Sequence, residues 1–110
     1  MNGWMIEYSE PAEADLNDIF CYIAENLRAP AIASEQIRRI VERISKLDAM
    51  PKRYSLYGKG KWRSLGLRRT NVDNFAIFYL PDDAGRIVAI IRILYVGRDI
   101  DAIMLDLENV

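Results

Sequence analysis

The sequence has no histidine and a single cysteine, Cys21. One cysteine excludes an intrachain disulfide, and without histidine the usual zinc spacings cannot arise, so no metal and no cofactor is expected. Cys21 sits inside an apolar helical pattern and reads as a core thiol. Long hydrophobic runs are also missing: charge-free stretches such as Ile87 to Ile91 fall far short of the roughly 20 residues a membrane-spanning helix needs. No basic-then-apolar leader precedes Trp4, so a cytoplasmic protein that does not enter a membrane is expected. With 110 residues, 51% of them hydrophobic, the chain can bury one core, and residues 1–110 are expected to form one domain.

What is present is an uneven distribution of charge. The net charge is only -1, yet residues 49–72 carry seven basic side chains and no acidic one, between acidic flanks. The block comprises Lys52, Arg53, Lys59, Lys61, Arg63, Arg68 and Arg69, interleaved with Tyr54, Tyr57 and Trp62. Seven uncompensated cations repel one another, which points to an anionic partner. Read singly, each lysine of the stretch 52–61 fits a solvated loop that keeps a sheet edge from aggregating.

Trp4, Ile6 and Tyr8 alternate with Met5 and Glu7, the period of a short strand. Ser9 then offers an N-cap, and Pro11 falls in the first turn of a helix. Its stripe is Leu16, Ile19, Phe20, Ile23 and Leu27. A second helix, with Ala33, Ile37, Ile40, Val41, Ile44 and Leu47, runs until Pro51 breaks it. Residues 51–61 read as a loop, followed by strands over 62–69, 72–80 and 86–96. Pro81-Asp82-Asp83-Ala84-Gly85 is the turn between the last two. Ile87 to Ile91 reads as a central strand buried on both faces, and 98–107 as a short terminal helix. The expected class is α+β: an N-terminal strand, then a two-helix hairpin packed on one face of an antiparallel sheet (β-α-α-β-β-β), with the other face or an edge cleft left for function.

Several segments resemble the RelE/ParE toxins of bacterial toxin-antitoxin pairs. Residues 8–26 look like that family's opening, in which a strand meets an Asp-Leu helix, here Asp15-Leu16, ending in Tyr22-Ile23-Ala24. Leu47-Asp48-Ala49-Met50-Pro51 resembles its helix end, and Arg68 or Arg69 falls where it keeps a sheet arginine. Phe75-Ala76-Ile77-Phe78-Tyr79 resembles its strand with a terminal tyrosine, and residues 92–99 its closing strand and Arg-Asp turn. The resemblance implies a toxin neutralised by a cognate antitoxin protein. It leaves the target open, because ParE-like members inhibit DNA gyrase whereas RelE-like members cut mRNA on the ribosome.

Metal-free RNA cleavage needs a base for the 2'-hydroxyl, positive charge on the phosphate and an acid for the leaving oxygen. Lacking histidine, such a site would have to use Lys59, Lys61, Arg68, Arg69, Arg92 and Tyr95. Target contacts without cleavage would fall to Lys52, Arg53, Trp62, Arg63 and Arg98. The Tyr-Ile-Ala helix and the Arg98-Asp99 ending lean toward the ParE side, while the Trp/Tyr-rich basic loop, able to stack on bases, leans toward RNA. Tyr79 and Tyr95 also read as core or rim aromatics. Arg92, set among isoleucines, must snorkel from an edge, pair with a carboxylate such as Asp73, or point into a functional cleft. Arg98-Asp99 reads equally as a turn-stabilising ion pair.

Overall fold

Ser9 starts the first helix as its side chain allows: with φ -68° and ψ 160°, its Oγ accepts the Ala12 N–H at 3.1 Å, and Pro11 occupies the first turn. In the computed structural model, which describes residues 3–108, this helix comes after the strand β1 (Met5–Tyr8). Next come α1 (Glu10–Cys21), a π-helical turn (Tyr22–Asn26), α2 (Pro30–Ser45), two short 3-10 turns (Lys46–Asp48 and Pro51–Arg53) and α3 (Gly60–Leu65). The strands β2 (Arg68–Val72), β3 (Phe75–Asp82) and β4 (Ile87–Tyr95) and the helix α4 (Ile100–Glu108) complete the chain. The α+β class expected from the sequence holds.

The sheet order is β1-β4-β3-β2. The last three strands form the expected antiparallel meander, but β1 lies parallel to β4, from Met5↔Ile87 to Tyr8↔Ile90, so the sheet is mixed. The chain between them, the helix hairpin followed by α3, β2 and β3, is far longer than the crossover a parallel pair needs.

One face of the sheet packs on the hairpin. Ala12, Ile40, Ile44 and Leu47 meet Ile77, Tyr79, Val88, Ile90 and Ile93, with Leu16 and Ile19 half-buried beside them. Leu27 leaves its expected stripe and stands 56% exposed. The cause is the π-helical turn, closed by the bond from Leu27 N–H to Tyr22 O (3.1 Å). Its extra residue rotates the next side chains by about 100° relative to a regular helix.

The opposite face is not left open, contrary to expectation. The segment expected as a strand from Trp62 begins instead as α3, which ends at Gly66 in the left-handed region (φ 93°), and β2 starts only at Arg68. Part of the expected loop is thus helical, and α3 and α4 build a second core from Leu67, Ala76, Phe78, Leu94, Ile100 and Met104. Ile103 and Leu107 pack on it as the expected terminal helix requires, and the Trp62 indole N–H donates to Met104 O at 2.7 Å. Alternate residues of β3 serve the two cores, which is why Phe75 through Tyr79 are all buried. Among the described residues, no helix is long and apolar enough to cross a membrane.

The pairing of β3 with β4 shifts between Phe78 and Tyr79: Phe78 faces Arg92 and Tyr79 faces Ile90. The shift returns Ile93 to the hairpin side with Val88 and Ile90. β1 ends opposite Ile90, so the outer edge of β4 beyond that point needs other partners. α1 supplies them. The Ser9 hydroxyl donates to Ile91 O at 2.9 Å, and Asp15 Oδ2 accepts the Ile93 N–H at 2.9 Å.

Candidate functional site

Arg92 lies at this junction. Its Nε and Nη2 donate to the two oxygens of Asp15 at 2.7 and 2.8 Å, and this hydrogen-bonded partner raises the guanidinium pKa. Asp73, the carboxylate considered from the sequence, serves Arg39 and Gln36 instead. The Asp15 signal was legible: it falls three residues after Ala12 and four before Ile19, on the buried stripe where a carboxylate needs a partner.

The remaining basic residues go to separate places. Arg68 donates to the carbonyls of Lys52 (3.1 Å) and Tyr54 (2.6 Å), pinning the segment before α3 to the sheet. Lys52 pairs with Asp83 at 2.6 Å across the surface, and Arg53 lies over the Tyr54 ring. Lys59, Lys61 and Arg63 are exposed at and beside α3, whereas Trp62 turns inward onto the second core. Arg69 donates to Asn71 Oδ1 at 3.0 Å and lies over the rings of Tyr57 and Phe78. The Tyr57 hydroxyl donates to Asp101, and burial together with that bond pushes the phenol up to about 12. Tyr79 donates to Pro51 O at 2.6 Å, a core aromatic with its hydroxyl satisfied. Among the described residues Arg98 and Asp99 do not pair with each other; Asp99 Oδ1 instead accepts the Ala102 N–H at the start of α4. No group of three His, Cys, Asp or Glu side chains among the described residues is placed to hold a metal.

Tyr95 and Arg98 reach a different feature, a groove of about 640 Å³ between the end of α1, the start of α2 and the end of β4. Ile19, Ile23, Phe75 and Ile93 line it, with Asp15, Asp18 and Arg98 as its charged residues. Tyr22 and Leu27 stand 56% exposed at its edge and Tyr95 50%. The Tyr95 ring rests edge-on against Phe75, with centroids 5.9 Å apart. Clustered apolar surface of this kind marks a surface for a macromolecular partner. Sequence periodicity puts Leu27 in the buried stripe, and only the π-helical turn aims it here.

A mixed sheet with a helix hairpin on one face, a partner-sized apolar groove and two sheet arginines bonded into the fold defines a small α+β binding fold. Three solved structures share that fold. A chain of the chromosomal ParDE TA system from P. aeruginosa superposes with a TM-score of 0.72 at 20% identity, over 87% of this chain and 99% of that one. A chain of the RelBE2 toxin-antitoxin complex from Mycobacterium tuberculosis gives 0.61 at 19% identity, over 86% and 93%. A chain of the archaeal RelE-RelB complex from Pyrococcus horikoshii gives 0.60 at 17%, over 89% and 99%. No curated protein matches the chain significantly. Residues 6–100 match the family described as the ParE toxin of the type II toxin-antitoxin system parDE, and the chain belongs to that family. It is the toxin of a type II toxin-antitoxin pair, within the RelE/ParE superfamily.

Proposed function

We propose that this toxin arrests growth by binding, as a ParE-like inhibitor of DNA gyrase. The observation that carries this reading is the commitment of two of the three sheet arginines: Arg92 is tied to Asp15, and Arg68 to the carbonyls of Lys52 and Tyr54. An mRNA-cleaving site would need those guanidiniums facing a phosphate beside a base and an acid. Membership in the ParE family supports the same reading.

The cognate antitoxin seats an amphipathic segment in the groove edged by Tyr22, Leu27 and Tyr95. Asp18 and Arg98 fix its direction by charge. Structures of toxin-antitoxin complexes among those sharing the fold support such a partner.

The test is induction of this chain alone in bacteria, following plasmid supercoiling and transcript 5' ends in the same culture at the onset of arrest. Gyrase inhibition predicts lost negative supercoiling or trapped DNA breaks with intact transcripts. New 5' ends within translated codons, with normal DNA topology, would transfer the chain to the RelE-like, ribosome-dependent class.

A further inference from the structure

The outer edge of β2 carries a second cavity, an open cleft of about 400 Å³. Ser55 to Tyr57 run alongside the strand as an irregular fifth strand: Leu56 bridges Arg68, the Tyr57 N–H donates to Leu67 O at 2.8 Å, and the Arg69 N–H donates to Ser55 O at 3.3 Å. Further along β2 the segment diverges from the strand, and the cleft opens against Thr70 and Asn71.

Two guanidiniums converge there on one neutral residue. Arg43, from α2, donates through Nη1 to the Thr70 hydroxyl (3.2 Å) and to Asn71 O. Arg69 donates through Nε to the side-chain oxygen of the same Asn71. These bonds use one nitrogen of each guanidinium, and neither arginine forms a salt bridge among the described residues. Among the described residues no carboxylate lines the cleft. Asp73, close enough to feel Arg43, is bonded by Arg39 and Gln36, while Asp101 sits at the hydroxyl end of Tyr57. Arg43 reaches Asn71 from the hairpin side of the strand and Arg69 from along it, both lining one cleft, and an anion seated there would supply the counter-charge that neither has.

The anion can be specified by chemistry. The free guanidinium nitrogens match the oxygens of a phosphate better than a single carboxylate, because two planar forks can engage one tetrahedral group from different sides. The hydroxyl of Ser55 and the amide of Asn71 add neutral donors, and the rings of Tyr54 and Tyr57 form walls beside the cations, where a base or sugar would lie. The Tyr57 ring is held in place from both ends: its edge packs against Phe78 at 4.8 Å between centroids, and its hydroxyl is bound by Asp101. We propose that the cleft between Arg43 and Arg69 binds a phosphate group, either in the backbone of a single-stranded nucleic acid or on a free nucleotide. The proposal does not rest on the gyrase reading, since binding is measured on the isolated chain.

The test titrates the purified toxin with a short fluorescein-labelled oligothymidylate by anisotropy. Parallel titrations with ATP and with inorganic phosphate follow the amide signals of Thr70 and Asn71 by NMR. Arg43→Gln and Arg69→Gln should each weaken binding about tenfold, and each should lower the salt slope of oligonucleotide binding by about 0.7. Arg38→Gln is the control, its partners being Glu35 and Glu42 on the exposed side of α2, and it should leave binding unchanged. Arg69→Gln loses side-chain contacts to Asn71, Tyr57 and Phe78 but no backbone bond of β2, so the strand stays paired, and Arg69→Lys should recover part of the affinity. Oligonucleotide binding that ATP and phosphate do not displace would identify a nucleic-acid strand as the ligand. ATP binding with the same Thr70 and Asn71 shifts would identify a free nucleotide. Failure of all three probes to bind, or affinity unchanged in Arg69→Gln, would overturn the proposal.

Discussion

The Asp15 carboxylate meets the Arg92 guanidinium in a two-pronged pair, 77 residues apart in sequence, and its Oδ2 also takes the backbone N–H of Ile93. With side chains 7% and 17% exposed, the two charges are largely removed from water. The carboxylate therefore acts as a piece of strand edge where β1 has run out. Asp15→Ala leaves Arg92 buried without a counter-charge and should cost about 3–5 kcal/mol in denaturant unfolding. The double variant Asp15→Leu with Arg92→Met should recover much of that loss, because the charge left unpaired is then removed too. Equal destabilisation by the single and double variants would show that the bond to Ile93, not the ion pair, carries the cost.

Tyr79 holds the turn at Pro51 from beneath. Its ring is fully buried and its hydroxyl donates to Pro51 O, while burial pushes the phenol up to about 12. Tyr79→Phe keeps the packing and strands a carbonyl, so the melting curve should show a loss of about 1–3 kcal/mol. A variant as stable as the parent would mean that water reaches Pro51 O.

Acid should weaken the β2–β3 hairpin in a way that Asp73 controls. Arg39 first, then Gln36, hold the Asp73 carboxyl at about 2, below its ordinary 3.8. A folded-state value below the unfolded one stabilises the protein above the unfolded value, and that contribution disappears as pH falls through the folded one. The stability gap between the parent and Asp73→Asn should therefore be widest above about pH 4 and close toward about pH 2. Asparagine tolerates the left-handed backbone of this position (φ 53°), so the comparison isolates charge. A gap constant with pH would contradict the pairing.

Leu27 separates antitoxin binding from folding. It is exposed, so Leu27→Asp should change the stability of the isolated toxin by less than about 0.5 kcal/mol. In the groove, the same change buries a charge against the antitoxin and should weaken the complex at least tenfold by calorimetry while leaving growth arrest intact. Undiminished affinity would place the antitoxin elsewhere.

Much of this protein is set locally and could be read without a structure. Ser9 and Pro11 start α1, the stripe from Ala33 to Leu47 buries α2, the residues around Asp82-Asp83-Ala84-Gly85 turn β3 into β4, and Ile100, Ile103, Met104 and Leu107 give α4 its apolar side. Each arises from capping, turn chemistry or a period repeated over several turns. Periodicity misread α3, because a six-residue helix starting at Gly60 and stopped by Gly66 offers too few turns to distinguish helix from strand. It also missed the exposure of Leu27, which one extra residue in a helical turn decides. The parallel pairing of β1, the coverage of the second sheet face, the burial of Arg92 against Asp15 and the meeting of Arg43 with Arg69 at Asn71 belong to tertiary structure alone. Each joins side chains far apart in sequence, and which edge groups and charges need a partner is settled only when the strands have ended and the helices have been laid across them.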